Sequence, residues 1–496
     1  LQVFTTIDSY YQNQASKAVV QGLEDYDRRH GFRKPENIDN LFPDDFFLSS
    51  IAIKKSQIER SLGQSSENDA DYEIGLTEVF RYLENFSENN GRFIGVVSNL
   101  EKGLEVILKS GELLNVDWKD NLNWARPYIS ENRRGARPKS YKDILEVGDI
   151  IWLQKDEITK LYSLTQIPDA QSALISIDPE SGSILALVGG YDFFLSKFNR
   201  VEQASPLLGS NFKPFLYAAA FSNGFTPSSI INDAPIIFDD AALEEKWRPR
   251  NASGKFFGPT RLREGLLQSR NLVSVRLLRE LGVEKVRSYS EKFGFEKERL
   301  PADLSLSLGT ASLNPLSNAA AYSVFANGGK KIAPYLISKI TNRSGDILFK
   351  RELKVPKQVI DPRIAFLIND ILKEAATRGT ARKVLELQRK DFAGKTGTTN
   401  DAESTWFTGY NDYIVTSVWV GFDKPKSLGD REFGSSIALP IWLDYKKEII
   451  DKIPVAMRLP PDGISVIKID KDTGRLAQDN TKSPMFEYFL DENRPN

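Results

Sequence analysis

Three short stretches of this chain hold the residue types that covalent catalysis needs. In Gly209-Ser210-Asn211-Phe212-Lys213-Pro214-Phe215 a hydroxyl precedes an amine by three residues. The Leu/Tyr/Ala/Phe run at 216–221 reads as a buried helix. Proline is tolerated only in a helix's first turn, so Pro214 places Ser210 at the helix N-terminus. Positions i and i+3 share a helix face, which puts the Ser210 hydroxyl beside the Lys213 amine. A serine is a weak nucleophile until a base takes its proton, and a lysine can be that base when burial or a second cation lowers its pKa. The helix N-terminus adds N–H groups suited to an oxyanion. A second Ser-x-x-Lys, Ser465 to Lys468, lies in the strand-like run 464–470. There, i and i+3 point to opposite faces, so that pair cannot act together.

Ser269-Arg270-Asn271 falls between two helical runs and reads as a loop. Its hydroxyl and amide could relay a proton and hold a substrate amide, or simply cap a helix. Ser-x-Asn is common, and Ser66, Ser87, Ser130 and Ser312 also begin one. Lys395-Thr396-Gly397-Thr398 follows a short strand start at 391–394. Lys395, aimed at the Ser210 site, would disfavour protonation of Lys213 by like-charge repulsion. Gly397 permits close backbone approach, as on an edge strand that pairs with an extended peptide. Thr396 and Thr398 offer hydroxyls to a carboxylate, and the N–H groups of Ser210 and Thr398 could form an oxyanion hole. A phosphate loop ending in Gly394-Lys395-Thr396 would need a glycine five residues earlier, where Arg389 stands.

Elimination points the same way. The chain has no cysteine and one histidine, His30, in the charged run 25–30, where a solvated surface position is expected. That argues against thiol catalysis, a Ser-His-Asp triad and a His-rich zinc site, and no cofactor or metal is expected.

The 496 residues allow two or three domains. The 66 basic and 67 acidic residues nearly cancel, so no nucleic-acid partner is implied. No apolar run reaches the length of a membrane span, and the start at Leu1 without an initiator Met reads as a mature fragment or trimmed chain. Residues 5–33 read as a helix, 76–83 as an amphipathic piece, and 92–167 as about five short strands forming a small OB-like barrel. The Arg133, Arg134, Arg137 and Lys139 cluster within it reads as a solvated loop. From 171 the pattern turns to mixed α and β: a hairpin at 173–190, helices at 262–268, 272–281, 283–293, 316–326 and 363–376, a hairpin at 335–350, and strands at 393–397, 405–410 and 414–420. A tail from 460 holds one further hairpin.

Ser210-x-x-Lys213, Ser269-x-Asn271 and Lys395-Thr396-Gly397, in that order, resemble the penicilloyl serine transferases. The stretches 308–312, 377–381 and 406–410 look like the transpeptidase domain of class A penicillin-binding proteins. Thr5-Thr6-Ile7-Asp8 and Tyr26 to Gly31 are similar to the linker of the Gram-negative bifunctional subgroup. The resemblance covers essentially the whole chain. It implies an α/β (α+β) fold, a transpeptidase domain with a central antiparallel sheet flanked by helices, plus a small all-β OB-like domain. The expected segments are a linker helix at 1–40 packing on the transpeptidase domain, an inserted regulator-docking domain at 41–170, the transpeptidase at 171–455, and a β tail at 456–496.

The implied activity is peptidoglycan D,D-transpeptidation on the periplasmic side of the inner membrane. Ser210 attacks the D-Ala-D-Ala bond, Lys213 is the general base, Ser269 and Lys395 pass a proton to the leaving amine, and Asn271 holds the acyl side-chain amide. Thr396 and Thr398 engage the carboxylate of a stem peptide or β-lactam, beside Gly397. The implied partners are stem peptides, β-lactams, and outer-membrane lipoprotein or divisome and elongasome regulators at the OB-like insert. The glycosyltransferase domain and membrane helix of bifunctional members are not in this sequence. Competing readings are a D,D-carboxypeptidase, which differs only in its acceptor, and a non-enzymatic β-lactam-sensing or scaffold module. A class A β-lactamase would need a Glu-x-x-Leu-Asn run between Ser269 and Lys395, and there is none.

Overall fold

The strands Gln171–Ile177, Ser404–Tyr410 and Val415–Gly421 are buried almost throughout, as expected of strands covered on both faces. They form the middle of a five-stranded antiparallel sheet in the computed structural model, which describes residues 1–41, 79–101, 103–118, 120–236, 247–352, 355–455 and 458–495. The strand order is Ile184–Val188, Gln171–Ile177, Val415–Gly421, Ser404–Tyr410, Ala393–Thr398, so the Lys-Thr-Gly stretch lies on an edge. Successive strand residues face opposite sides. Ser417 and Thr408 meet Asn318 of helix Pro315–Ala326, while Thr416 and Phe407 meet Lys446 and Trp442 of helix Ala438–Ile449. Each face of the sheet therefore carries a helix.

The helix Lys213–Phe221 is buried along its whole length because every residue after Pro214 is apolar. Its Phe215 ring lies 4.9 Å from the centroids of Phe293 and Phe295 and 5.3 Å from Tyr322, all edge-on, the favoured aromatic geometry. This aromatic knot fixes the nucleophile helix against its neighbours.

The chain divides into two compact units. The sheet just described belongs to one, formed by residues 1–22, 170–191 and 198–496. The other, residues 23–169 and 192–197, contains a five-stranded sheet ordered Leu113–Val116, Leu104–Leu108, Arg92–Asn99, Ile150–Lys155, Tyr162–Thr165. One side buries Val97, Val106, Leu153 and Leu164, the other Ile94, Val96 and Ile107, so the sheet has a core on each face. Arg92 and Asp192 form a buried ion pair at 2.6 Å within this unit.

Several expectations need correction. The first helix is Ser9–His30, not 5–33: Gln2–Thr5 is a strand paired with Ile337–Thr341, and Asp8 starts the helix by accepting the N–H groups of Tyr10 and Tyr11. His30 is half-buried, not solvated; its Nδ1 lies 2.8 Å from the Tyr26 carbonyl and its ring sits on that tyrosine. Arg133–Arg134 is a two-residue strand paired with Tyr128–Ser130, while Arg137 and Lys139 are exposed. The hairpin Ile230–Asp233 with Gly258–Arg261 and the helix Ala438–Ile449 have no counterpart in the sequence expectations. Of the amphipathic piece, residues 79–83 are helical and 76–78 lie outside the described residues. Ser465 and Lys468 lie on strand Ile464–Asp470, paired with Pro484–Leu490.

Candidate active site

Ser210 sits in a 3-10 turn, Gly209–Phe212, that runs straight into helix Lys213–Phe221 with Pro214 in its first turn. The turn is pressed against the edge strand through glycines. Gly209 has φ +54°, and a Cβ on it would fall 2.5 Å from the Thr398 carbonyl oxygen. Gly309, φ +79°, abuts Gly209 so closely that a Cβ would lie 1.7 Å from the Gly209 carbonyl, and Gly209 donates its N–H to Gly309 O at 2.9 Å. Only residues without side chains let three backbone segments meet beside the hydroxyl.

Asn211 ties the same turn to the strand. Its Nδ2 donates to the Lys395 carbonyl at 2.9 Å, its carbonyl accepts from the Tyr322 hydroxyl at 2.7 Å, and its Oδ1 faces Asn318 and Thr408. All of these groups are buried. A buried polar network of this kind fixes geometry because each lost bond would leave an unpaired polar group.

The chain brings the three motifs together. Lys213 Nζ donates to the Ser269 carbonyl at 2.8 Å and to Asn271 Oδ1 at 2.7 Å, and lies 3.3 Å from Ser269 Oγ. Lys395 Nζ donates to Ser269 Oγ at 2.9 Å and to the Thr396 carbonyl at 2.9 Å. One hydroxyl, Ser269 Oγ, is thus shared by two lysines from opposite walls. Ser269 itself has φ +56°, an uncommon backbone for a non-glycine residue. The Ser210 hydroxyl has no hydrogen-bond partner among the described residues; the Lys213 amine is turned toward Ser269 and Asn271 instead of resting on it.

Both lysines are fully buried. Burial first, then the charge of Lys395, hold Lys213 well below the usual lysine range, with the Asp233 carboxylate pulling the other way. Burial brings Lys395 down to about 7. Burial and the Lys395 charge both favour the free amine of Lys213, the form able to accept a proton.

The expected carboxylate-binding residues occupy the edge strand. Thr396 Oγ1 donates to Thr380 Oγ1 at 2.8 Å, and Thr398 Oγ1 accepts the Gly434 N–H at 3.0 Å. Gly397 faces the nucleophile turn, where a Cβ would meet the Leu208 carbonyl at 2.7 Å. Asn271 is engaged at both ends, since its Nδ2 donates to the Arg250 carbonyl at 2.8 Å while its Oδ1 accepts from Lys213. Residues outside every stretch that motif reading quoted are Asn251 and Asp233, behind the Ser269 loop, and Asn318. Their partners are distant in sequence, so no local spacing marks them.

Comparison with known proteins matches this layout. Residues 173–442 match the penicillin-binding protein transpeptidase domain, and residues 64–170 match the penicillin-binding protein OB-like domain. Penicillin-binding protein 1A of Pseudomonas aeruginosa is 40% identical, over 100% of this chain and 62% of the relative. Penicillin-binding protein 1A of Escherichia coli is 32% identical, over 100% of this chain and 64% of the relative. The chain thus spans a little under two thirds of the length of these curated relatives. The 2.6 Å crystal structure of penicillin-binding protein 1A from Haemophilus influenzae superposes with a TM-score of 0.82 at 31% identity, covering 100% of this chain and 73% of that one.

Proposed function

The chain belongs to the penicillin-binding proteins that carry a transpeptidase domain and an OB-like domain, and on that footing we propose that it cross-links peptidoglycan as a serine D,D-transpeptidase. The observation that carries this reading is the convergence of Lys213 and Lys395 on the Ser269 hydroxyl, beside a Ser210 hydroxyl that has no hydrogen-bond partner among the described residues. Lys213, whose burial favours the free amine, takes the Ser210 proton as Ser210 Oγ attacks the carbonyl of a D-Ala-D-Ala bond. The N–H groups of Ser210 and Thr398 stabilise the oxyanion. Collapse of the tetrahedral adduct breaks the peptide bond. The proton travels from Lys213 through Ser269, assisted by Lys395, to the leaving D-alanine amine. The acyl group, now an ester on Ser210, passes to an amine of a neighbouring stem, which loses its proton to the same relay.

Thr398, with its hydroxyl oxygen held by the Gly434 N–H, and Thr396, backed by Thr380, suit the substrate carboxylate. Asn271 supports the acyl side-chain amide from its position on Lys213. β-Lactams enter as mimics of the same bond. No helix among the described residues is long and apolar enough to cross a membrane. The full-length protein is read as an anchored, periplasm-facing enzyme that also polymerises glycan, with the OB-like unit as its regulator-docking domain.

The test is the intact mass of the chain after incubation with a penicillin, beside Ser210→Ala. The expected result is a long-lived gain of one penicillin on the native chain and none on the variant. A rapidly lost adduct would indicate a β-lactamase, and no adduct on folded protein would leave only a binding module.

A further inference from the structure

The loop that carries Ser269 and Asn271 does not cap its own helix. Arg270, at the N-cap of helix Asn271–Leu281, makes no side-chain cap bond. The first-turn N–H groups of Asn271 and Leu272, which have no partner within the helix, are met by Asn251 Oδ1 instead, at 2.9 and 3.3 Å, from about twenty residues upstream. Asn251 is nearly fully buried, at 5% exposure, and its Nδ2 donates to Asp233 Oδ1 at 2.7 Å and to the Lys255 carbonyl at 2.9 Å. Both its lone pairs and both its protons are used, so the amide can sit only one way.

Asp233 is the last residue of strand Ile230–Asp233 and is wholly buried. Its Oδ2 has no hydrogen-bond partner among the described residues, and Arg270 Nε stands 4.0 Å away with its guanidinium laid on the Phe257 ring. A buried, incompletely paired carboxylate costs stability, and packing alone gives no reason to keep one. Its neighbours give a reason. The left-handed Ser269 backbone needs outside support, and Asn251 holds the backbone N–H of Asn271, the residue whose side-chain Oδ1 accepts from the Lys213 amine.

We propose that Asn251, locked by the Asp233 carboxylate, is a positioning residue that sets the Ser269–Asn271 loop and through Asn271 aims the Lys213 amine. This inference rests on the reading of Ser210 and Lys213 as nucleophile and base. Asp233 has a second effect through space. Its negative charge favours the protonated form of Lys213, against burial and the Lys395 charge, which both favour the free amine.

The experiment measures penicillin acylation of the whole chain over a range of concentrations and pH, separating the acylation rate constant from the affinity of the first complex. Asn251→Ala is expected to slow the acylation step roughly 30- to 100-fold, the scale of a base displaced by about an ångström, with affinity changed less than about threefold. Asn251→Asp sets two carboxylates against each other and is expected to be at least as slow. The exchange Asp233→Asn with Asn251→Asp lets the introduced carboxylate accept both helix N–H groups and the introduced amide's proton. It is expected to recover at least about tenfold over Asn251→Asp alone. Asp233→Asn by itself keeps an oxygen for Asn251 but loses the charge, so the acid limb of the rate profile moves to lower pH. A role confined to folding would not move that limb.

Asn251→Ala acylating within about threefold of the native rate, or an exchange variant no faster than Asn251→Asp, would overturn the proposal. Where Asn251→Ala does not fold by circular dichroism, the exchange pair decides it. If the native chain forms no Ser210 adduct, the nucleophile reading falls first and this inference with it.

Discussion

Replacing Lys395 with methionine should make the protein more stable at low pH while abolishing its acylation. Lys395 is fully buried, and burial takes its pKa from 10.5 to about 7. Between those values the unfolded chain holds a proton that the folded chain does not, so stability rises with pH across this window. Below about 7 both states are charged and the whole cost of enclosing the ammonium is present, about 5 kcal/mol at 1.36 kcal/mol per pH unit. Methionine removes that cost but also the bonds to Ser269 Oγ and the Thr396 carbonyl, worth about 1 kcal/mol each. The net expectation for Lys395→Met is a gain of about 3 kcal/mol at pH 6. By pH 9 the linkage contribution falls by about 3 kcal/mol, leaving the two proteins nearly equal. Urea titration followed by tryptophan fluorescence reads this directly, because Trp406, Trp419 and Trp442 are buried in the same unit as Lys395. A difference between variant and native protein that stays constant within about 1 kcal/mol from pH 6 to pH 9 would refute the argument.

Glu487, on the tail strand, accepts from Arg263 Nε at 2.7 Å and Nη2 at 2.5 Å and from Arg261 Nη1 at 3.3 Å, with its side chain fully buried. Asp370 and Glu374 still pair with Arg263 when Glu487 is lost, so Glu487→Gln should cost about 3 kcal/mol, at the low end for breaking a buried pair. Urea midpoints measure it, and a loss below about 1 kcal/mol would show that the tail is not held by this charge. Gly309→Ala would drive a Cβ to 1.7 Å from the Gly209 carbonyl at a φ of +79°. Penicillin acylation should fall at least about 100-fold as the Ser210 turn lifts off the edge strand. A folded variant with native acylation kinetics would mean that the turn is not seated through this contact.

What the sequence determined by itself was what is local. Pro214 and the apolar run after it place the Ser210 turn at a helix start, because a ring-locked φ and a missing N–H allow nothing else. The run Ile464–Asp470 could be read as a strand, which puts Ser465 and Lys468 on opposite faces. The family's motifs could be read for the same reason, being short and contiguous.

Local spacing alone, without the family resemblance, could not distinguish between the Ser-x-Asn copies. Asn314 of the Ser312 copy is an ordinary helix cap, its Oδ1 accepting the Ser317 N–H, whereas Asn271 of the Ser269 copy receives the Lys213 amine. The two differ only in what the rest of the chain folds against them. Ser269 meets Lys213 from 56 residues away and Lys395 from 126. Asn251 and Asp233 reach the loop through a hairpin that local pattern did not reveal. Depressed lysine pKa values have the same origin. They come from the removal of water by packing on every side, and no residue carries in its own neighbourhood of sequence the information about what will cover it.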